Sequence, residues 1–134
     1  MSAASLQVLD CSLSVRRRRV LAAIEGLVAV NALAGMTYAL RGAPSVPAEW
    51  LDDTPFDSYV IPGLYLGVVL GGVSLAAASV SVRQPRRARA AALVCSAVTE
   101  TWMLAQLALI GYRSPLQPLI VTTGAAVGYL AVAP

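Results

Sequence analysis

The chain has 134 residues, of which 57% are hydrophobic and 13% are charged, and its mean hydropathy is +0.70. A soluble domain usually has about 25% charged residues, and a chain of this length buries only about two-thirds of its surface. The apolar excess therefore predicts an integral membrane protein and excludes a soluble enzyme. The chain has no histidine, which excludes a Ser-His-Asp triad and most zinc sites. Its net charge of +3 is too small and too clustered to indicate nucleic-acid binding.

Four apolar stretches follow an arginine-rich N-terminal segment, residues 1–19, which we expect on the cytoplasmic side. The stretches cover residues 20–40, 59–82, 90–112 and 116–133. A helix needs about 20 apolar residues to cross a bilayer core of ~30 Å. The last stretch is the shortest, and it begins near Pro115 and Pro118, which suit a first helical turn. Residues 20–134 are thus predicted to form an all-α, four-helix transmembrane bundle.

The first stretch has a second interpretation as a secretory leader. Arg17, Arg18 and Arg19, which precede it, resemble a twin-arginine signal, and Ala32-Leu33-Ala34 resembles an A-x-A cleavage site. Glu25 would then lie inside the apolar region of the leader, which is unfavourable. We therefore expect a retained span, with cleavage as the alternative.

The orientation of the bundle follows from its arginines. Eight of the ten lie at residues 16–19 and 83–89, which fall on one side if the helices alternate. The positive-inside rule makes that side cytoplasmic, with both termini inside the cell. Tyr38, Tyr59 and Tyr112 fall at the opposite boundary, as expected for an aromatic belt. The predicted location is the plasma membrane, a bacterial inner membrane.

Glycines recur every four residues in two of the stretches. Gly63, Gly67 and Gly71 share one helix face, and Gly124 and Gly128 form a second pair. Helices approach closely at such faces, which drives association in lipid. The spacing predicts a helix-packing interface, either between helices of one chain or between copies of the chain.

Two acids lie inside apolar stretches, where a charge is costly. At ~1.5 Å per residue, Glu25 lies roughly 8 Å and Glu100 roughly 15 Å past the inner boundary. Asn31 lies about 16 Å along the first stretch, near the depth of Glu100, and could form a hydrogen bond between helices. These three residues are the candidate proton or ligand site. Glu25 is also shallow enough to be reached by Arg19 or Arg87.

Neither metal nor cofactor is indicated. Cys11 and Cys95 are too far apart for a CxxC motif, and we expect two free thiols. The acids between the first two stretches are predicted to form a solvated loop.

Residues 54–63, which continue into 64–72, together with Gly111-Tyr112-Arg113 and Leu116-Gln117-Pro118-Leu119, resemble a group of small four-helix membrane proteins of actinobacteria. More loosely, the layout is similar to the DoxX-like proteins. The resemblance covers roughly the last two-thirds of the chain. It implies a four-helix membrane fold and, for the DoxX-like proteins, a redox role, but it supplies no catalytic residues.

The leading hypothesis is a non-enzymatic accessory or assembly subunit that packs through a glycine-rich helix face. Its partners would be the lipid bilayer and either a homo-oligomer or a larger membrane protein, with no nucleic acid. The alternative is a small proton-coupled carrier that uses Glu100, helped by Glu25. A redox or quinone-linked membrane component is a third hypothesis.

Overall fold

The computed structural model describes residues 13–134, which contain helices and no strand. Cys11 and most of the predicted N-terminal segment lie outside these residues. The four long helices are α1, Val15–Leu40; α2, Val60–Arg83; α3, Ala88–Ile110; and α4, Leu116–Val132. A short 3-10 helix, Ala48–Leu51, lies between α1 and α2. The all-helical fold is therefore confirmed. Three helices are long and apolar enough to cross a membrane, and α4 is a shorter apolar helix of 17 residues.

Helix α1 begins five residues before its predicted start. The Ser14 hydroxyl accepts a hydrogen bond from the backbone N–H of Arg17 (3.2 Å), so the helix has an N-cap. Arginine is a good helix former, and residues 16–19 consequently form the first turns of α1. The helix ends at Leu40 with Arg41 as its C-cap, and the next residue, Gly42, has a φ of +91°, which favours glycine. The Gly42 and Ala43 N–H groups return to the carbonyls of Ala39 and Tyr38, a Schellman motif.

Helix α2 contains a π-helical segment at Leu66–Gly71, with α-helix on both sides. A π segment widens the helix locally and changes the direction in which later side chains point. Hydropathy alone did not predict it. Beyond this segment, the buried face of α2 carries Ser74, Ala77 and Ser81.

Sequential helices pack against each other, and α1 also contacts α3 and α4 over shorter stretches. We call the end that contains Arg17 and Arg83 the arginine end, and the end formed by residues 41–59 and the α3–α4 turn the loop end. The core at the arginine end consists mostly of small residues, including Ala77, Ala88, Ala92, Cys95 and Ala131. A second cluster further along α1 contains Val28, Ala32 and Leu70.

The outer surface of the bundle is apolar on every helix. Among the exposed side chains are Leu27 in α1, Val68 in α2, Leu104 in α3 and Leu119 in α4, each at least 60% exposed. Soluble monomers rarely expose contiguous apolar surface on this scale.

Candidate functional site

Glu25 is a carboxyl group inside the apolar core. Its side chain is 0% exposed and occupies the α1 face that also carries the buried Leu21 and Val28, one turn away on either side. Oε2 accepts a hydrogen bond of 2.9 Å from the Ser81 hydroxyl. Oε1 is buried and has no hydrogen-bond partner among residues 13–134. Arg19 and Arg87, which were considered as partners from the sequence, are both exposed.

Ser81 joins Glu25 to the arginine end. Its backbone carbonyl accepts a hydrogen bond of 3.1 Å from Arg18 Nη1, which also donates to the Val82 carbonyl (3.3 Å). Arg18 thus caps the C-terminus of α2, where free carbonyls attract a cation. Within the described residues its Nε is buried and lacks a hydrogen-bond partner, as Oε1 of Glu25 does. Ser81 therefore forms hydrogen bonds to both the Glu25 carboxyl group and the Arg18 guanidinium. Each of these two groups also has one buried atom without a hydrogen-bond partner in the described residues.

Two more arginines cap α4. Arg17 donates to the carbonyls of Ala133 (2.7 Å) and Pro134 (3.1 Å), and Arg89 Nε donates to the Ala131 carbonyl (3.0 Å). The arginines that indicated membrane orientation in the sequence therefore also tie the helix ends together. The sequence alone does not predict these pairings, since the partners lie 42 to 117 positions apart.

A second polar contact joins α2 and α3. Ser74 Oγ lies 3.5 Å from Cys95 Sγ, and both residues are fully buried. The Thr99 hydroxyl donates to the Cys95 carbonyl (2.8 Å). Cys95 is a free thiol, as predicted. Ser74 and Ser81 were missed by the sequence analysis, although two serines seven positions apart in an apolar helix share one face.

Glu100 lies at the α3–α4 interface. The side chain is half-buried, and its Oε1 is buried without a hydrogen-bond partner in the described part of the chain. A Cβ at Gly124 would overlap this oxygen, so the glycine leaves the room that the carboxyl group occupies. One turn before Glu100, the Ser96 hydroxyl donates to the Gly124 carbonyl (2.8 Å).

Asn31 does not join the other candidate residues. It lies on the exposed surface of α1, whereas Glu25 faces the core. The hydrogen bond expected between Asn31 and another helix is not present within residues 13–134. Six positions separate the two residues, and a helical period of 3.6 turns them toward different sides.

The glycine faces are both used inside the chain. Gly63 packs on Ala39, and Gly67 packs on Met36. A Cβ added at Gly71 would lie 3.5 Å from the Ala32 side chain. All three glycines of α2 therefore face α1. Gly128 faces Ser96 in the same way that Gly124 faces Glu100. Of the two interpretations of the glycine spacing, these contacts correspond to packing between helices of one chain.

The loop end contains a cavity of about 320 Å³ between α2 and α3, which we call the loop-end groove. Its lining is mostly aromatic and aliphatic and also includes the amide of Gln106. The residues that define the groove are Leu51, Phe56, Tyr65, Trp102, Ala105 and Leu109. Tyr65 and Trp102 stack with ring centroids 5.1 Å apart, which fixes one wall. Pockets of about 300–1,000 Å³ with such linings are typical ligand sites.

Two charged residues, Glu49 and Arg113, lie near Tyr59, a lining residue, and we call this part of the groove its mouth. Arg113 lies over the Trp50 ring, 5.5 Å from its centroid, and the Tyr59 hydroxyl donates to the Pro47 carbonyl (2.6 Å). Burial raises the pKa of Tyr59; the charge of Glu49 raises it further and that of Arg113 lowers it. Glu49 and Arg113 therefore both lie within electrostatic range of Tyr59.

Comparison with known proteins finds no family model, no curated protein and no solved structure that matches the chain. The described residues themselves offer two interior carboxyl groups, an exposed amide on α1 and an apolar groove with charged residues near Tyr59.

Proposed function

We propose that this is a multi-pass protein of a bacterial inner membrane, without enzymatic activity, which binds another membrane protein as an accessory or assembly subunit. Both termini face the cytoplasm in this proposal. The exposed apolar side chains on all four helices support a lipid environment. The concentration of eight arginines at one end supports the orientation through the positive-inside rule. The resemblance to small actinobacterial membrane proteins agrees with this assignment and stays a prediction.

The observation that carries the proposal is the position of Asn31. Its amide is exposed on the longest apolar helix, and it forms no hydrogen bond within the described chain. In hydrocarbon such an amide has neither water nor protein to bind, which is unfavourable. A hydrogen bond to a polar group of a neighbouring transmembrane helix would satisfy it.

The surface around Asn31 suits helix packing. Positions at helical spacing along the same side of α1 form what we call the docking face, and all of them are exposed: Ala23, Leu27, Asn31, Ala34 and Tyr38. The two alanines allow close backbone approach, and Leu27 and Tyr38 supply contact area. Because the glycine faces are occupied by helices of the same chain, we assign partner binding to this face of α1.

The test is co-purification in a mild detergent with quantitative mass spectrometry. Asn31→Leu should lower recovery of the bound membrane protein about threefold to twentyfold, since an interhelical hydrogen bond in lipid contributes ~0.6–1.7 kcal/mol. Thr122→Leu is the matched control, because Thr122 is also exposed but its hydroxyl donates to the Pro118 carbonyl of its own helix. Equal recovery for the two variants would contradict the proposal.

A second candidate function is supported by a different observation. Glu25 and Glu100 each have a buried carboxyl oxygen without a hydrogen-bond partner in residues 13–134, and intramembrane carboxyl groups are the usual proton sites of carriers. A proton-coupled carrier predicts that Glu100→Gln abolishes proton uptake into vesicles that contain a pH-sensitive dye. Asp57→Asn, in the exposed loop, should leave uptake unchanged. An accessory subunit predicts instead that Glu100→Gln alters neither proton uptake nor partner recovery.

A further inference from the structure

We propose that the loop-end groove binds one acyl chain of a zwitterionic phospholipid that carries a primary ammonium group, with its headgroup between Arg113 and Glu49. This inference adds a lipid site on the opposite end of the molecule from the arginine caps. It does not depend on partner binding at Asn31.

The groove suits a hydrocarbon chain in volume and chemistry. A cavity of about 320 Å³ is at the lower end of the range of ligand pockets, which favours one chain over a bulky ring system. Tyr65 and Ala105 in the lining are exposed at the outer surface of the bundle. The groove therefore opens sideways, toward the lipid phase, while Leu51 and Phe56 from the connection between α1 and α2 close it toward the loop end.

One amide inside the groove is available to the lipid. Gln106 is half-buried among the lining residues and has no hydrogen-bond partner in residues 13–134. It lies four residues before the end of α3 at Ile110, about 6 Å at 1.5 Å per residue, and Arg113 follows three residues later. A phospholipid has ester carbonyls between its chains and its phosphate. We assign the Gln106 amide as a donor to such a carbonyl.

The phosphate has a cation at the mouth. Arg113 is exposed, its Nε donates to the Ile110 carbonyl (2.8 Å), and its guanidinium lies over Trp50. These contacts hold the side chain in position, yet the terminal nitrogens form no hydrogen bond or ion pair within the described residues. A guanidinium with free donors is suited to phosphate oxygens.

The ammonium group has an anion at the mouth. Glu49 belongs to the 3-10 helix that also contains Trp50 and Leu51. Its negative charge raises the pKa of Tyr59, which lines the groove. It forms no ion pair with Arg113 in the described part of the chain. A primary ammonium can donate hydrogen bonds to this carboxylate, whereas a quaternary ammonium cannot. A purely anionic headgroup would be repelled by Glu49 and by the nearby Asp52.

The experiment measures lipid retained by the full-length protein in native mass spectrometry after delipidation. Phosphatidylethanolamine, phosphatidylcholine and phosphatidylglycerol with identical chains are added at equal mole fraction. Ala105→Phe fills the groove, and Ala108→Phe, an exposed alanine of the same helix outside the lining, is its matched control. Arg113→Gln removes the phosphate contact, and Arg41→Gln removes another exposed arginine near the same end.

We expect one phosphatidylethanolamine per chain in the unchanged protein, in Ala108→Phe and in Arg41→Gln. Ala105→Phe and Arg113→Gln should weaken retention by about tenfold, as expected for loss of the cavity or of a charge-assisted hydrogen bond. Glu49→Gln should retain lipid but lose the preference for the primary ammonium. Equal retention by Ala105→Phe and Ala108→Phe, equal retention of the three lipids, or a polypeptide in place of lipid would each overturn the proposal.

Discussion

Ser81 uses its hydroxyl and its carbonyl to connect α1 with α2. The Ser81 hydroxyl donates a hydrogen bond to Glu25, and the Ser81 carbonyl accepts one from Arg18. Arg18 lies seven residues before Glu25 in α1. An interior carboxyl group with one donor is better accommodated than one with none. The position of Glu25 in the core therefore depends on a serine 56 positions away in the chain.

We expect Ser81→Ala to lower the free energy of unfolding by about 1–3 kcal/mol, because it leaves both buried oxygens of Glu25 without a donor. Ser79→Ala on the same helix is the control, since Ser79 is exposed, and it should change stability little. Thermal or dodecyl sulfate unfolding in micelles measures both. If the two variants unfold alike, the hydrogen bond does not stabilise the fold.

Arg18 and Arg16 offer a second comparison between neighbouring residues. Arg18 caps α2, whereas Arg16 is exposed. Arg18→Gln should cost about 1 kcal/mol of stability, in line with a cation at a helix C-terminus, and Arg16→Gln should cost less. The same unfolding assay measures both variants. At high salt the difference in stability between them should become smaller if the charge of Arg18 is responsible.

The depth of Glu25, Asn31 and Glu100 along their helices could be predicted from the sequence, because rise per residue is constant. The direction of each side chain could not, because it depends on which neighbouring helices enclose the residue. Glu25 faces the core and Asn31 faces outward, although they lie in the same apolar stretch. To tell the core-facing residue from the outward-facing one, the packing of α2 on α1 must be known, and hydropathy does not predict that packing.

At the scale of elements, glycine spacing in α2 predicted a close helix contact, and α1 supplies it. Gly67 contacts Met36 where the π-helical segment runs along α1. The helix bounds were predicted to within a few residues because apolar stretches end at arginine, glycine and proline. The π-helical segment was not predicted, because amino-acid composition does not indicate which backbone groups form its hydrogen bonds.

Gly67→Ala should destabilise the bundle by about 1–3 kcal/mol, since the added Cβ overlaps Met36 and forces the two helices apart. Gly72→Ala is the control on the same helix. It has open space around the added Cβ and should stabilise α2 by about 0.5–1 kcal/mol. In the unfolding assay, the free energy of unfolding should fall in Gly67→Ala and rise in Gly72→Ala. A loss of stability in Gly72→Ala equal to that in Gly67→Ala would contradict the assigned face.

At the scale of the whole molecule, the two ends differ in chemistry. The arginine end binds helix C-termini through Arg17, Arg18 and Arg89. The loop end is organised by Gln117, whose amide bonds the backbone of Gly111, Arg113 and Ser114. This asymmetry, with an apolar exterior between the ends, is what a fixed orientation in a bilayer requires.

We propose that the chain crosses the membrane four times with the arginine end in the cytoplasm. Cysteine-accessibility labelling tests it in a background that carries Cys11→Ser and Cys95→Ser. Asp53→Cys and Gln84→Cys introduce exposed thiols in the α1–α2 and α2–α3 connections, respectively. An impermeant maleimide should label Asp53→Cys in intact cells and Gln84→Cys only after the membrane is opened. Labelling of both variants in intact cells, or of neither, would contradict the account.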